Sequence, residues 1–188
     1  MKGKKCVVAG AGVVALRKAR ALIRSGGKVY VISKTLKRGL AGLKKKKEIF
    51  HIPSEYRKKH LRGACLVIAA TNNSRVNARI SKDALALQIL TNVVDSPELS
   101  SFIVPSSIGK GDLIISISTS GKAPGLSKRI RKDLETLLVP GYARFLKALR
   151  SIRADLRQRC AKPRLRRMLM HCLVNAGVPP PERKRILK

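Results

Sequence analysis

The sequence predicts an α/β protein that begins with a parallel β-sheet, and three observations support this prediction. The apolar run at residues 6–9 breaks at glycine and continues as an amphipathic pattern, which is typical of a buried strand followed by a helix. A second strand is predicted at residues 28–33, directly after a Ser-Gly-Gly sequence that stops the helix. Residues 64–70 are apolar without interruption, as expected for a central strand that is buried on both faces.

The turn after the first strand has the spacing of a dinucleotide-binding motif. Gly10, Gly12 and Ala15 fit the form G-x-G-x-x-G/A, in which the second glycine lets a pyrophosphate approach the backbone. The N–H groups of the new helix then face the phosphates, so Val13 and Val14 are also predicted to contact the dinucleotide. A tight turn without a ligand is the alternative, but the strand–helix–strand context favours the cofactor site of a Rossmann-type fold.

Polar residues that follow later strands are expected to complete the cofactor site, because ligands of open α/β sheets bind at the carboxyl ends of the strands. Ser33 and Lys34 follow the second predicted strand, and Thr71 and Asn72 follow the strand at residues 64–70. A site for NAD usually has an acid at the end of the second strand. Because Ser33 and Lys34 stand there instead, the sequence leaves NADP open beside NAD.

Asp95 is the carboxylate that we single out as a candidate catalytic residue. It follows the strand predicted at residues 89–94, so it is expected on the same sheet edge as the cofactor, with Val94 beside it among the cofactor-binding residues. An aspartate before Ser-Pro often only caps a turn, and this alternative stays open.

The chain is strongly basic, with 42 lysines and arginines against 10 acids and a formal net charge of +32. Such a charge concentrates polyanions near the surface, and both nucleic acid and a small substrate with many carboxylates would be attracted. A solvated, generally basic surface is the alternative. Aromatic residues make up only 3% of the chain, so platforms for stacking bases are scarce and nucleic acid is not the expected partner.

The sequence shows no pattern that predicts a metal site, a membrane span or export. Its 4 cysteines form no C-x-x-C pair, and its 3 histidines have no ligand spacing. No run reaches the roughly 18 apolar residues of a membrane span, and no signal peptide is predicted. Free thiols in a reducing cytoplasm are the expected state of the cysteines.

The pattern of the chain changes after Pro105. A strand is predicted at residues 112–118, a polar loop at residues 119–125 and a helix at residues 126–139. From residue 142 onward the sequence predicts basic helices, with an apolar stripe that is expected to pack in a core or against a partner helix. We therefore divide the chain into residues 1–104, 105–140 and 141–188.

Five ordered motifs then carry a resemblance to a known family. They are VAGAGVVALRK at residues 8–18, AATNN at residues 69–73 with Asn77, NVVDSPE at residues 92–98, SFIVP at residues 101–105 and ISISTSGKAP at residues 115–124. In this order and spacing they resemble the precorrin-2 dehydrogenase / sirohydrochlorin ferrochelatase family, which is the amino-terminal module of siroheme synthases. The resemblance covers about residues 3–140 and extends more loosely through the carboxyl-terminal helices.

The resemblance implies a reaction and an assembly. The reaction is the oxidation of precorrin-2 to sirohydrochlorin with NAD as hydride acceptor, followed in some members by insertion of ferrous iron, a substrate, to give siroheme. The assembly is a homodimer whose interface is built by the segment at residues 105–140. The implied architecture is a Rossmann-type parallel sheet followed by a small dimerisation segment and a carboxyl-terminal helical region.

The resemblance also implies roles for individual residues. Asp95 matches the aspartate that serves as general base and chelatase residue in the family, chemistry that suits a carboxylate. The substrate has eight carboxylates, which would explain the basic surface. The residues expected to bind it are Asn92, Pro105, Thr119, Ser120, Gly121 and Lys122. Ser120 stands where the family usually has a glycine, which reduces the backbone freedom of that loop.

Two other functions stay open at this point. A chelatase alone would need Asp95 but not the glycine turn. A non-catalytic polyanion-binding protein could keep the same fold without the chemistry, and the high charge favours it. The intact glycine turn and Asp95 favour the dehydrogenase.

Overall fold

The computed structural model describes residues 1–94, 96–137 and 141–177. Asp95 and the last residues of the predicted helix at 126–139 therefore lie outside the described residues. The chain folds into two compact units, Met1–Val104 and Pro105–Lys188. Among the helices that the structure describes, none has both the length and the hydropathy needed to cross a membrane.

The first unit alternates strands and helices along the chain. Its elements are β1 (Lys5–Ala9), α1 (Val13–Arg24), β2 (Lys28–Ile32), α2 (Arg38–Lys45), β3 (Ile49–Ile52), β4 (Ala64–Ala69), α3 (Ser74–Ala86) and β5 (Leu90–Val93), with short 3₁₀ turns at Lys58–Leu61 and Pro97–Leu99. The second unit contains β6 (Ser106–Lys110), β7 (Leu113–Ile117), α4 (Pro124–Leu137), α5 (Gly141–Arg159) and α6 (Pro163–Gly177).

The strands of the first unit form one five-stranded sheet in the order β3-β2-β1-β4-β5. All neighbouring pairs in this sheet are parallel. The chain moves outward from β1 to β3 and then returns to place β4 on the other side of β1, so the strand order reverses between β1 and β4. A crevice at such a reversal is where open α/β sheets bind ligands. The predicted α/β fold with a Rossmann-type parallel sheet is confirmed.

Apolar side chains cover both faces of this sheet. On one face, α1 and α2 pack on a cluster that includes the fully buried Val8 and Val31 and the nearly fully buried Leu40. On the other face, the cluster under α3 includes the fully buried Val67 and Ile80. Because helices lie on both faces, β4 is apolar along its whole length, as the sequence predicts for a central parallel strand.

The structure contains two strands that the sequence does not predict. β3 has only four residues, which is too short for a clear periodic pattern. β6 has a single apolar residue, Ile108, and pairs antiparallel with β7. In both cases the strand forms because a neighbouring strand supplies its hydrogen-bonding partners, which the local sequence does not predict.

The sequence predicts short helices at residues 35–43 and 54–61, and the observed elements differ from them in extent. The helix predicted at residues 35–43 runs from Arg38 to Lys45. The helix predicted at residues 54–61 is only a 3₁₀ turn at Lys58–Leu61. Such a turn suffices to bring the chain back to β4 and buries Leu61 beneath it.

The described part of the second unit has little interior of its own. β6 and β7 form a two-stranded sheet on which α4 packs, and α5 packs against α6. The predicted carboxyl-terminal helical region is thus present as α5 and α6. Among the described residues of this unit only Ile108 and Ser127 are buried, whereas Ile114 and Leu126 are 70% and 54% exposed.

Tyr56 joins the segment after β3 to α3, and its hydroxyl donates a hydrogen bond of 2.9 Å to Oδ2 of Asp83. Burial, together with this bond and the charge of Asp83, raises the pKa of the phenol above its ordinary value. The folded state therefore favours the neutral phenol. Its contribution to stability is complete below the pKa of the unfolded tyrosine, about 10, and is lost as the pH rises above that value.

We expect Tyr56→Phe to lower the free energy of unfolding by about 1 kcal/mol at neutral pH, because Asp83 loses a hydrogen-bond donor. The difference from the wild type should shrink above a pH of about 10, where the unfolded wild type gains stability by ionising Tyr56. Urea unfolding across this range measures both effects. Tyr30→Phe is the control, since the Tyr30 hydroxyl has no hydrogen-bond partner in the described parts of the chain. An equal loss in the two variants would contradict the prediction.

Candidate functional site

A cavity of about 740 Å³ opens at the carboxyl ends of β1 and β4, where the strand order reverses. Its size lies within the range of small-molecule sites, about 300–1,000 Å³. It is lined by Ala9, Gly10, Ala11, Gly12, Ile32, Ser33, Lys34, Thr35, Lys37, Ser54, Glu55, Tyr56, Ala70, Thr71, Asn72, Asn73, Val76 and Arg79. The structure thus brings together six predicted cofactor residues from three separate segments, namely Gly10, Gly12, Ser33, Lys34, Thr71 and Asn72.

Gly10 is required by the fold itself. Its φ of +113° is a conformation that side chains rarely adopt, and a Cβ at this position would clash with the backbone carbonyl of Ala70. The N–H of Gly10 donates to the carbonyl of Ile32 at 2.9 Å. This glycine therefore allows the turn after β1 to pass between the ends of β2 and β4.

Gly12, in contrast, is not required by any neighbouring atom of the structure. It caps α1 with a φ of −78°, which any residue can adopt, and a Cβ built here would have no heavy atom within 4 Å. The space beside it belongs to the cavity. A glycine that the fold does not need, facing a cavity at a helix N-terminus, suits the close approach of a phosphate group.

The polar segment after β4 is held by Asn77 of α3. The Asn77 side chain is buried, and its Oδ1 accepts hydrogen bonds from the hydroxyl and the N–H of Thr71 at 2.6 and 3.2 Å. Its Nδ2 donates to the Thr71 carbonyl at 3.1 Å. Asn73 caps α3 by accepting from the N–H of Val76 at 3.1 Å. The cavity wall at Thr71 and Asn72 is therefore preorganised.

A carboxylate that no sequence motif indicates lies near the end of β2. Glu55, from the segment after β3, lines the cavity and forms an ion pair of 2.7 Å with Lys34. This hydrogen bond and the opposite charge lower the pKa of Glu55 and raise that of Lys34. Glu55 lies 22 positions after Ser33 in the chain, so only the return of the chain through β3 brings the two to one cavity.

Three of the predicted cofactor residues do not line this cavity. Val13 begins α1 and is 79% exposed, and Val14 is half-buried beside it. Val94 packs against the apolar cluster under α1 and α2. The predicted contact of Val13 and Val14 with the dinucleotide phosphates would use the backbone N–H groups of the first helical turn. It therefore does not require their side chains to line the cavity.

Asn92 is nearly buried, and both ends of its amide are engaged. Lys18 of α1 donates to its Oδ1 at 3.1 Å, while its Nδ2 donates to the carbonyl of Phe102 at 3.1 Å. Burial, helped by the charge of Arg17, lowers the pKa of Lys18. The sequence does not predict this contact of Lys18, because a lysine on an amphipathic helix usually points to solvent.

The remaining predicted substrate residues belong to the second unit. Pro105 begins this unit, and Lys122 lies exposed in the loop before α4. The hydroxyl of Thr119 accepts from the N–H of Ala123 at 3.1 Å, which closes this loop. Ser120 and Gly121 have φ values of +52° and +79°, so Ser120 does adopt the conformation that favours glycine. The role of this loop and of Asp95, which lies outside the described residues, stays a prediction.

The fold and the cavity together define a Rossmann-type nucleotide-binding protein. The chain belongs to the family described as putative NAD(P)-binding, whose model matches residues 1–106. Residues 110–137 match a second model, described as sirohaem biosynthesis protein central. The predicted nicotinamide cofactor is confirmed at the level of NAD(P), and the predicted resemblance to the siroheme synthase module is confirmed as well.

Similar proteins carry related names. The chain is 39% identical over 156 residues to a siroheme synthase of Photobacterium profundum, covering 83% of this chain and 33% of that protein. It is 37% identical over 168 residues to a siroheme synthase of Methylobacillus flagellatus, covering 89% and 36%. The chain thus spans about a third of the length of these curated relatives.

A solved structure shares the fold. SirC, a precorrin-2 dehydrogenase, superposes with a TM-score of 0.77 at 22% sequence identity, covering 92% of this chain and 85% of that chain. The similarity includes residues of both units, because the matched part is longer than either unit.

We expect Gly12→Ala to fold as stably as the wild type and to weaken dinucleotide binding by about tenfold or more, because the added methyl group occupies the space for the pyrophosphate. Titration with NAD and thermal unfolding measure the two effects. Gly42→Ala is the matched control: its Cβ also has no heavy atom within 4 Å, and Gly42 does not line the cavity. Unchanged NAD binding in Gly12→Ala would exclude the turn as the phosphate site.

Proposed function

We propose that this chain catalyses the NAD-dependent oxidation of precorrin-2 to sirohydrochlorin. The observation that carries the proposal is Gly12. The fold does not need a glycine at this position, and Gly12 lines the cavity at the carboxyl ends of β1 and β4. The match to the sirohaem central model directly after the NAD(P)-binding model supports a substrate of this class. The names of the siroheme synthases and of SirC agree with it.

The residues around the cavity fit a nicotinamide dinucleotide. The turn at Gly10 and Gly12 and the first N–H groups of α1 would hold the pyrophosphate, and the end of β2 at Ser33 would hold a ribose. Thr71 and Asn72, fixed through Asn77, would form the wall nearer β5. The bound dinucleotide supplies an acceptor for the hydride that the substrate loses.

Loss of a hydride from precorrin-2 must be accompanied by loss of a proton, so a base is needed beside the ring. We propose Asp95 for this role, because it follows β5 by sequence and a carboxylate can accept a carbon-bound or ring proton. Insertion of ferrous iron into the product would use the same carboxylate, as a second step at the same site.

The preference for NAD over NADP is proposed from Glu55. A carboxylate at the ribose end of the cavity can accept a hydrogen bond from a 2′-hydroxyl, as an acid at the end of β2 does in other sites for NAD. The same carboxylate repels a 2′-phosphate. Its ion pair with Lys34 also occupies one of the cations at the cavity that would otherwise attract that phosphate.

We expect Glu55→Gln to shift the ratio of the NAD and NADP affinities toward NADP by about tenfold, because the repulsion is removed and Lys34 becomes free. Titration of each cofactor measures this ratio. Glu98→Gln is the control, since it removes an exposed acid that does not line the cavity. A shift of the same size in the control would attribute the change to overall charge.

We propose a homodimer formed through the second unit, in a reducing cytoplasm. Ile114 and Leu126 are exposed on a unit in which almost none of the described residues are buried, which supports an apolar contact with a second copy. All four cysteines are free, which supports a reducing compartment. Burial and the neighbouring Cys65 raise the pKa of the Cys6 thiol to about 11, which keeps it protonated and lowers its reactivity toward oxidants.

The central experiment is the anaerobic conversion of precorrin-2 with NAD, with NADP and without cofactor, followed by absorbance. We expect cofactor-dependent formation of sirohydrochlorin. Asp95→Asn should lose at least about a hundredfold of this rate, since general bases contribute about 10²–10⁴-fold, while NAD binding is retained. Asp112→Asn, which changes an exposed acid of the second unit, is the control. A folded protein that converts no precorrin-2 with either cofactor would overturn the proposed function.

A further inference from the structure

An open groove of about 650 Å³ lies between the helices α5 and α6, and four of its lining residues are arginines. Arg153 and Arg157 stand four positions apart on α5 and therefore lie on one face of that helix. Arg166 and Arg167 face the same cavity from the first turns of α6. Among the residues that the structure describes, no acid lines it.

The positive charge of these four arginines is not balanced by any acid in the described part of the chain. None of these four arginines forms an ion pair within the described ranges, whereas Arg129 and Arg131 of α4 pair with acids four positions on at 3.4 and 2.8 Å. Like charges four positions apart destabilise a helix, so the pair at Arg153 and Arg157 costs stability rather than adding it. A bound anion would remove this repulsion.

The remaining lining residues that the structure describes are apolar, namely Leu156, Pro163 and Met170. No aromatic residue is among them. Leucine, proline and the polarisable thioether of methionine suit a flat apolar ring. A polynucleotide would instead be expected to find aromatic platforms for its bases. The combination therefore fits a small apolar body with anionic groups at its edge better than a nucleic acid.

A guanidinium binds a carboxylate through two parallel hydrogen bonds. Several guanidinium groups beside apolar side chains therefore favour a rigid molecule with carboxylates at its edge. We propose that this cavity, here called the arginine groove, binds a tetrapyrrole polycarboxylate. The inference rests on the proposed function for its substrate class. It assigns to α5 and α6 a binding role separate from the one predicted for the loop at residues 119–122.

The test uses the full chain and uroporphyrin I, a fluorescent ring with eight carboxylates. In a fluorescence titration at fixed ionic strength, Arg157→Gln with Arg166→Gln should weaken binding by about tenfold, because two charge-assisted contacts are lost. The control is Arg159→Gln with Arg164→Gln, which removes the same charge from the same two helices outside the arginine groove and should change binding less than about twofold. Equal weakening in the two double variants would overturn the proposal.

Circular dichroism and thermal unfolding establish that each double variant is folded. If Arg157→Gln with Arg166→Gln does not fold, Arg153→Gln with Arg167→Gln tests the same groove with the same expectation. A porphyrin of similar ring size with cationic substituents should not bind. Loss of affinity for a random-sequence DNA duplex in the groove variants, with uroporphyrin binding unchanged, would assign the groove to nucleic acid and overturn the proposal.

Failure of the groove and failure of the proposed function are distinguishable, because NAD titration and precorrin-2 conversion are measured on the same proteins. If precorrin-2 is oxidised and the groove variants keep both KM and uroporphyrin affinity, only the groove assignment fails. If uroporphyrin binds in a groove-dependent way while no precorrin-2 is oxidised, the proposed function fails and the binding site stands. A raised KM with unchanged kcat in the groove variants supports both.

Discussion

The first unit depends on the close approach of two backbone segments, the turn after β1 at Gly10 and the end of β4 at Ala70. β1 is the central strand and pairs with both β2 and β4, so both neighbours end beside its turn. A side chain at Gly10 would separate β1 from β4 and close the crevice between them. The same absence of a Cβ that permits the sheet also opens the cavity, so stability and ligand access share one position.

The two glycines of the motif serve different purposes, although the sequence pattern treats them alike. Gly10 is constrained by protein atoms, whereas Gly12 faces open space. Around them, buried polar contacts give the cavity fixed walls: Asn77 holds the segment after β4, and Lys18 and Phe102 engage both ends of Asn92. Satisfied networks of this kind keep a site in shape before a ligand arrives.

The high positive charge is arranged differently in different parts of the molecule. On α4, arginines alternate with acids at helical spacing and form ion pairs, while the arginines facing the cavity between α5 and α6 have no acidic partner among the described residues. Net charge explains a general attraction for anions. Discrimination among anions requires a groove in which unpaired guanidinium groups stand beside apolar side chains. Charge and shape therefore contribute separately to binding.

Local sequence signals suffice to predict the parallel sheet, the order of most of its elements and the turn at Gly10 and Gly12, because apolar runs, glycine stops and helix periodicity are local. They also predict that Ser33, Thr71 and Asn72 follow strands whose ends meet on one edge. Three contacts depend on the folded chain: β3 pairs at the sheet edge, Glu55 pairs with Lys34 and Lys18 binds Asn92. These contacts join residues far apart in the chain, and no local pattern encodes which distant group a short strand or a long side chain will meet.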